Sequence, residues 1–152
     1  MKPLVVLLVV FVLAVVAVQL ITQQFDLSLA ARIAMCAMLF FTAVGHFAFT
    51  KGMILMMPSV IPFKKELVYL TAVLEILLGI GLLIPDFTVY AAWALIAFFV
   101  LLLPANINAA IKHVDHEKGT YAGKGVSYLW FRVPLQLLFI GWTYFSSIKI
   151  WE

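Results

Sequence analysis

Charge is scarce in this sequence. Only 11% of its residues are Asp, Glu, Lys or Arg, against about 25% in an average soluble domain. That excludes an ordinary water-facing surface and makes lipid the bulk solvent. Cysteine is almost missing too: Cys36 stands alone. No intramolecular disulfide, CxxC redox pair or iron–sulfur ligand set can form from it, and within an apolar segment it reads as a small packing residue. No haem-ligand pair, nucleotide fingerprint, or Ser-His-Asp or Cys-His arrangement is evident. Gly119–Gly125, read as GTYAGKG, echoes a phosphate loop. It is one residue short of the Walker spacing, lacks the following Ser or Thr and has no preceding strand. Internal repeats and inverted symmetry are also lacking, which tells against a secondary transporter.

What is present is a series of long apolar runs, with 66% of the chain hydrophobic. In lipid every backbone polar group must be satisfied internally, which leaves helices or a closed barrel. These runs are continuous rather than alternating, so they are not barrel strands. The fold class expected is an all-α integral membrane protein. It consists of a four-helix transmembrane bundle plus an additional N-terminal transmembrane helix. Residues 1–27 form the N-terminal helix and turn, and residues 28–152 the four-helix membrane domain.

The five expected spans are Leu4–Ile21, Ser28–Phe49, the run from Leu67 to Ile84, Phe87–Ile111 and Val126–Ile148. The first is long enough to cross a bilayer and has a poor cleavage pattern at Ala14 and Ala17, so a retained helix is favoured over a signal peptide. Asp26 or Ser28 is placed to cap the second span, and Asp86 the fourth. Pro58 and Pro62 forbid a continuous helix after Gly52, which reads as a loop. Pro104 is expected to kink the fourth span.

Five spans put the termini on opposite sides. One side collects Lys2, Lys51, Lys64, Lys65, Lys112, Lys118 and Lys124, and the other only Arg32 and Lys149. The positive-inside bias assigns the first side to the cytoplasm, with the C-terminus outside. The same pattern, single basic residues at the ends of apolar runs, explains the net charge of +3 without a nucleic-acid partner.

Few polar groups interrupt the runs. Glu75 is the only charge between Leu67 and Ile84, and an ionisable group near the midplane is costly enough to need a function or a partner. At a rise of 1.5 Å per residue, His46 lies roughly 6 Å from the cytoplasmic end, Asn106 and Arg132 roughly 9 Å, and Glu75 and Gln136 roughly 14 Å. Five groups on four helices thus share one half of the bilayer and are expected to face one another. By charge and depth Arg132 is the expected partner of Glu75, with Gln136 or Asn106 as alternatives for a neutral acid. Thr71, Glu75 and Gly79 share a face, where Gly79 lets a neighbouring helix approach. The set reads either as a ligand site or as a polar network that fixes helix packing. His113 and His116 lack third and fourth zinc ligands. No metal or nucleotide cofactor is expected.

An ordered set of motifs runs from Arg32 onward: Gly45-His46-Phe47, Pro58 and Pro62, LEILLGIGLLIP at Leu74–Pro85, Ala91-Ala92-Trp93, Pro104-Ala105-Asn106, and Phe131-Arg132-Val133-Pro134-Leu135-Gln136. In this order they resemble the DoxX-like family of small bacterial membrane proteins, over about three quarters of the chain. The resemblance implies the bacterial inner membrane and a four-helix bundle to which the first span is an addition. His46, Glu75, Asn106, Arg132 and Gln136 fall on the family's polar positions and are the candidate ligand-binding residues. No agreed catalytic role transfers with them.

The resemblance also implies a link to quinone chemistry. The expected function is a quinone- or amphiphile-binding subunit of a membrane redox complex, and not a complete enzyme alone, since electrons must come from a partner protein. The alternative is a non-enzymatic assembly factor or scaffold. The partners expected are the lipid bilayer and another membrane or redox protein, with a homo-oligomer admitted.

Overall fold

The computed structural model describes residues 2–149. Residues 1 and 150–152, which end the two expected domains, lie outside them. The chain runs through α1 (Lys2–Thr22), α2 (Leu27–Ala48), α3 (Thr50–Met56), α4 (Lys64–Gly81), α5 (Thr88–Ile111), a 3₁₀ turn at Gly125–Tyr128 and α6 (Leu129–Ser147). Among the described residues there is no strand, only an isolated bridge between Asp115 and Thr120.

Three helices, α1, α2 and α5, are long and apolar enough to cross a membrane. The sequence reading expects five such spans. In α4 the charges of Lys64, Lys65, Glu66 and Glu75 dilute the apolar run. In α6 it is Arg132, Gln136 and a hydroxyl-bearing last turn that do so. Of these groups Glu75, Gln136, Ser146 and Ser147 are buried, whereas Lys65 and Glu66 are exposed in the first turn of α4.

α2 is the central helix. It packs against α1, α4 and α6, while α5 packs against α4 and α6. Its small residues Ala30, Ala31, Ala34 and Ala43 are all buried, which lets neighbours approach closely. Gly79 of α4 lies on Cys36 and Leu39 of α2, where an added Cβ would meet Cys36 Sγ at 3.4 Å. The close approach expected at Gly79 is therefore present. α1 buries only a narrow stripe of Leu7, Ala14 and Val18 and exposes Val5, Val9, Val12 and Val16. Phe11 also meets Trp142 of α6 edge-on, with ring centroids 5.0 Å apart.

Local chemistry sets the helix ends. Asp26 caps α2 by accepting from the Leu29 amide at 2.8 Å, as expected. Asp86 does not cap α5: the cap position is Phe87, and no side chain bonds a free amide there. Thr88 instead donates back to the Ile84 carbonyl at 2.9 Å, and its hydroxyl accepts from Arg32 at 3.3 Å. The expected loop after Gly52 is also corrected. Helix breaks at Phe49 and resumes as α3 through Met56, so Gly52 is helical and the prolines act only beyond it. Pro104 and Pro134 both lie inside continuous helices.

α5 ends in a Schellman-type turn. The Val114 amide reaches the Ala109 carbonyl at 2.8 Å and the His113 amide the Ala110 carbonyl at 3.2 Å. His113 holds the left-handed position (φ 53°) that usually takes glycine. The turn folds the following loop back over the end of the molecule. There Lys2 pairs with Glu117 at 2.9 Å, Asn108 donates to the Met56 carbonyl at 2.7 Å, and Gly52 packs on the His116 backbone. The N-terminus, α3 and the α5–α6 loop thus meet at one end.

Candidate functional site

Two hydrogen-bonded clusters occupy this half of the protein. The first joins α2 to α4. Glu75 is only 4% exposed. Its Oε1 lies 3.3 Å from His46 Nε2, and its Oε2 accepts from Thr42 Oγ1 at 2.8 Å. Thr42 and His46 are four apart and so share one face of α2. His46 Nδ1 lies 3.0 Å from the Val68 carbonyl and 3.1 Å from Thr71 Oγ1. A carbonyl can only accept, so Nδ1 carries a proton. Nε2 and the carboxylate then need one proton between them, held either on the imidazole or on the acid. The pair is neutral overall in both cases.

The second cluster joins α5, α6 and the α5–α6 loop. Arg132 Nη1 donates to Asn106 Oδ1 at 2.8 Å. Asn106 Nδ2 donates to Gln136 Oε1 at 3.1 Å, and Gln136 Nε2 donates to the Phe99 carbonyl. The direction of this chain is forced, because it starts at a guanidinium that can only donate and ends at a carbonyl that can only accept. Pro104 has no amide to offer the Val100 carbonyl, and Gln136 serves the carbonyl one residue earlier, that of Phe99. Arg132 also lies over the Tyr128 ring, 4.8 Å from its centroid, a cation–π contact.

The loop adds His116, whose Nδ1 accepts from Arg132 Nη2 at 3.0 Å. Asp115 shapes that loop by accepting from the Glu117 and Lys118 amides, each at 3.1 Å. Burial, and then the nearby Arg132 guanidinium, holds His116 below the ordinary histidine value. It is therefore neutral at neutral pH and able to accept. The neutral ring's contribution to stability is complete above about pH 6.5 and is lost as pH falls through the lowered folded-state value. Thermal unfolding should be flat above that pH and decline below it. His116→Gln should remove this part of the decline, and an unchanged profile in that variant would refute the assignment.

A cavity of about 580 Å³ separates the clusters. α2 and α6 meet at one end, where Trp142 Nε1 donates to the Ala31 carbonyl at 3.0 Å. The cavity lies between their other ends. Its walls are Met38, Leu39, Phe99, Leu102, Leu135 and Phe139, and its polar groups are Thr42, Glu75, Asn106, Arg132, Gln136 and His116. Lys2, Pro3 and Glu117 also border it. This composition, apolar walls with a few converging polar groups, is that of a small-molecule site.

The structure brings together four of the five candidate residues on this cavity: Glu75, Asn106, Arg132 and Gln136. His46 lies behind Glu75 and does not line it. The expected pairing of Glu75 with Arg132 is corrected, because His46 and Thr42 engage Glu75 while Asn106 and His116 engage Arg132. Thr42, Tyr128 and His116 were not singled out as site residues. For Thr42 the signal was its four-residue spacing from His46, whereas nothing in the sequence ties His116 to Arg132. His113 turns away, with Nδ1 3.3 Å from the Ile111 carbonyl. Among the described residues no three His, Cys, Asp or Glu side chains gather as a metal set.

A family model described as Domain of unknown function (DUF8561) matches residues 35–147. The match starts within α2 and contains every residue of both clusters. No curated protein and no solved structure matches the chain.

Proposed function

The chain belongs to the DUF8561 family, and we propose that it is an integral membrane protein that binds an amphiphile between its helices. In this reading α2, α4, α5 and α6 form a DoxX-like four-helix transmembrane bundle in the bacterial inner membrane, and α1 is an added span. The site lies in the cytoplasmic half, and the protein works as a subunit of a membrane redox complex with a partner that supplies electrons.

The observation that carries the reading is the cavity itself. Apolar walls from α2, α5 and α6 lead to a cluster in which the Asn106 and Gln136 oxygens each already accept one hydrogen bond and Arg132 keeps unused donors. Such a surface fits the carbonyl oxygens of a quinone head, with the tail along Leu102, Leu135 and Phe139. A quinone would supply two-electron, two-proton chemistry. Arg132 and Asn106 would orient the head by hydrogen bonds. Glu75, backed by His46, would give or take the single proton that the pair holds. Because His46 Nδ1 ends on a backbone carbonyl, the pair is a proton store rather than a wire through the protein.

The test is mass spectrometry of lipids and cofactors extracted from gently purified protein. Wild type should carry a stoichiometric amphiphile, and Arg132→Ala should retain about a tenth or less, since one charge-assisted hydrogen bond is worth about 1.5–3 kcal/mol. Glu75→Gln should deplete it too if the proton pair takes part. No specific molecule in any folded sample would refute the reading and leave the assembly role as the alternative.

A further inference from the structure

The charged groups that border the cavity are not all paired, and the one without an ion-pair partner bears on the headgroup. Three acids stand near it: Glu75 and Glu117 in its lining, and Asp115 in the adjoining loop. Glu75 and His46 share one proton and are neutral as a pair. Glu117 is paired with Lys2 at 2.9 Å. Asp115 turns its carboxylate onto its own loop's amides.

Of the charged residues that line the cavity, Arg132 is the one without an ion-pair partner among the described residues. Among the described residues no carboxylate lies within ion-pair distance of it. Two of its five N–H groups are engaged, by Asn106 and His116. The other three have no partner among the described residues. Neither neighbour brings charge. Asn106 Oδ1 and Gln136 Oε1 each already accept one hydrogen bond, and the His116 Nδ1 lone pair is used by Arg132. A partly buried guanidinium with unused N–H groups and no carboxylate in ion-pair reach is completed by an acceptor with negative charge. An uncharged carbonyl fills the hydrogen bonds but leaves the cation unbalanced in a region of low dielectric.

We infer that the cavity's ligand is an anionic amphiphile, an oxyanion headgroup (carboxylate or phosphate) on Arg132 with its apolar chain along the α2–α6 walls. The inference rests on the amphiphile-binding part of that reading and puts an oxyanion in place of the uncharged quinone head. The volume of about 580 Å³ falls within the range of sites for molecules of a few hundred daltons. The short reach of Asn106 and His116, each tied to the guanidinium, holds the fork in a set plane, which suits a two-oxygen contact.

The test uses the full chain in phosphatidylcholine nanodiscs, with binding of dodecanoate, dodecyl phosphate, dodecanol and a decyl-chain quinone measured side by side. The two anions are expected to bind about tenfold or more tightly than dodecanol. Their advantage should shrink in Arg132→Lys, which keeps the charge and loses the fork, and vanish in Arg132→Gln. Wild-type selectivity needs no variant, so misfolding of a substitution does not blunt the test. Equal binding of dodecanol or the quinone would overturn the oxyanion headgroup and leave the amphiphile reading intact. Competition by inorganic phosphate as strong as by dodecyl phosphate would overturn the role of the chain. Binding of none of the probes would overturn both readings.

Discussion

Replacement of His46 by leucine is expected to destabilise the protein by about 3–5 kcal/mol, the usual cost of removing one member of a buried charge pair. Glu75 is almost wholly buried. Without His46 it keeps only the Thr42 hydroxyl. It must then either stay ionised without a counter-charge or take up a proton. The sign is tested by a second change. In His46→Leu with Glu75→Met no charge remains to be compensated, and most of the lost stability should return, because an apolar pair of similar volume is often neutral or better. The measurement is thermal unfolding of both variants in the same detergent. For a chain of this size, 3–5 kcal/mol corresponds to a fall of about 10 °C. A double variant as unstable as the single one would show that the pair is not an isolated unit.

Gly52→Ala is expected to cost about 3 kcal/mol, the upper end for overpacking, although only a methyl group is added. A Cβ at Gly52 would overlap the His116 carbonyl oxygen, and would lie 2.5 Å from its carbonyl carbon and 2.6 Å from its Cα. All three atoms are backbone, so no side chain can move aside. α3 has to separate from the α5–α6 loop, and the loop carries away the acceptor for Arg132 Nη2. Faster amide exchange across residues 113–125 and weaker amphiphile binding should therefore accompany the loss of stability. Gly141→Ala is the matched control. It also sits within a helix, nothing lies within 4 Å of its added Cβ, and helix propensity alone predicts a small gain of about 0.5–1 kcal/mol. Normal loop exchange in Gly52→Ala would mean that the contact does not position the loop.

Much of the fold is legible along the chain, because lipid demands satisfied backbones and long apolar runs. Helix order, the cap at Asp26 and the close approach at Gly79 all follow from local residue chemistry. The short helix α3 is less legible, since Pro58 and Pro62 draw the eye to a break that begins only after Met56. α4 falls short of the apolar content of a lone span because three charges open it and Glu75 adds a fourth, and α6 because of Arg132, Gln136 and its last turn; only the packed neighbours reveal that Glu75 and Gln136 are buried.

The candidate site divides in the same way. Residue type and position in an apolar run single out His46, Glu75, Asn106, Arg132 and Gln136. Which of them touch depends on how each helix is rotated and tilted, and residue counts carry no such information. Counting along upright helices puts Glu75 level with Gln136 and well below His46, yet Glu75 meets His46. Two long side chains on packed helices bridge more than a turn, and Gly79 brings α2 and α4 close enough for them to do so. His116 lies in the most polar stretch of the chain and reaches Arg132 only because the left-handed turn at His113 and the bare surface of Gly52 fold that stretch over the cavity. The sequence by itself determined a helical, lipid-compatible chain and its inventory of buried polar groups. Tertiary structure decided their partners, and so set Glu75 against His46 and Thr42 and left Arg132 at the cavity without a carboxylate in ion-pair reach. Pairing is set by the azimuth and separation of helices, which arise from packing along their whole length.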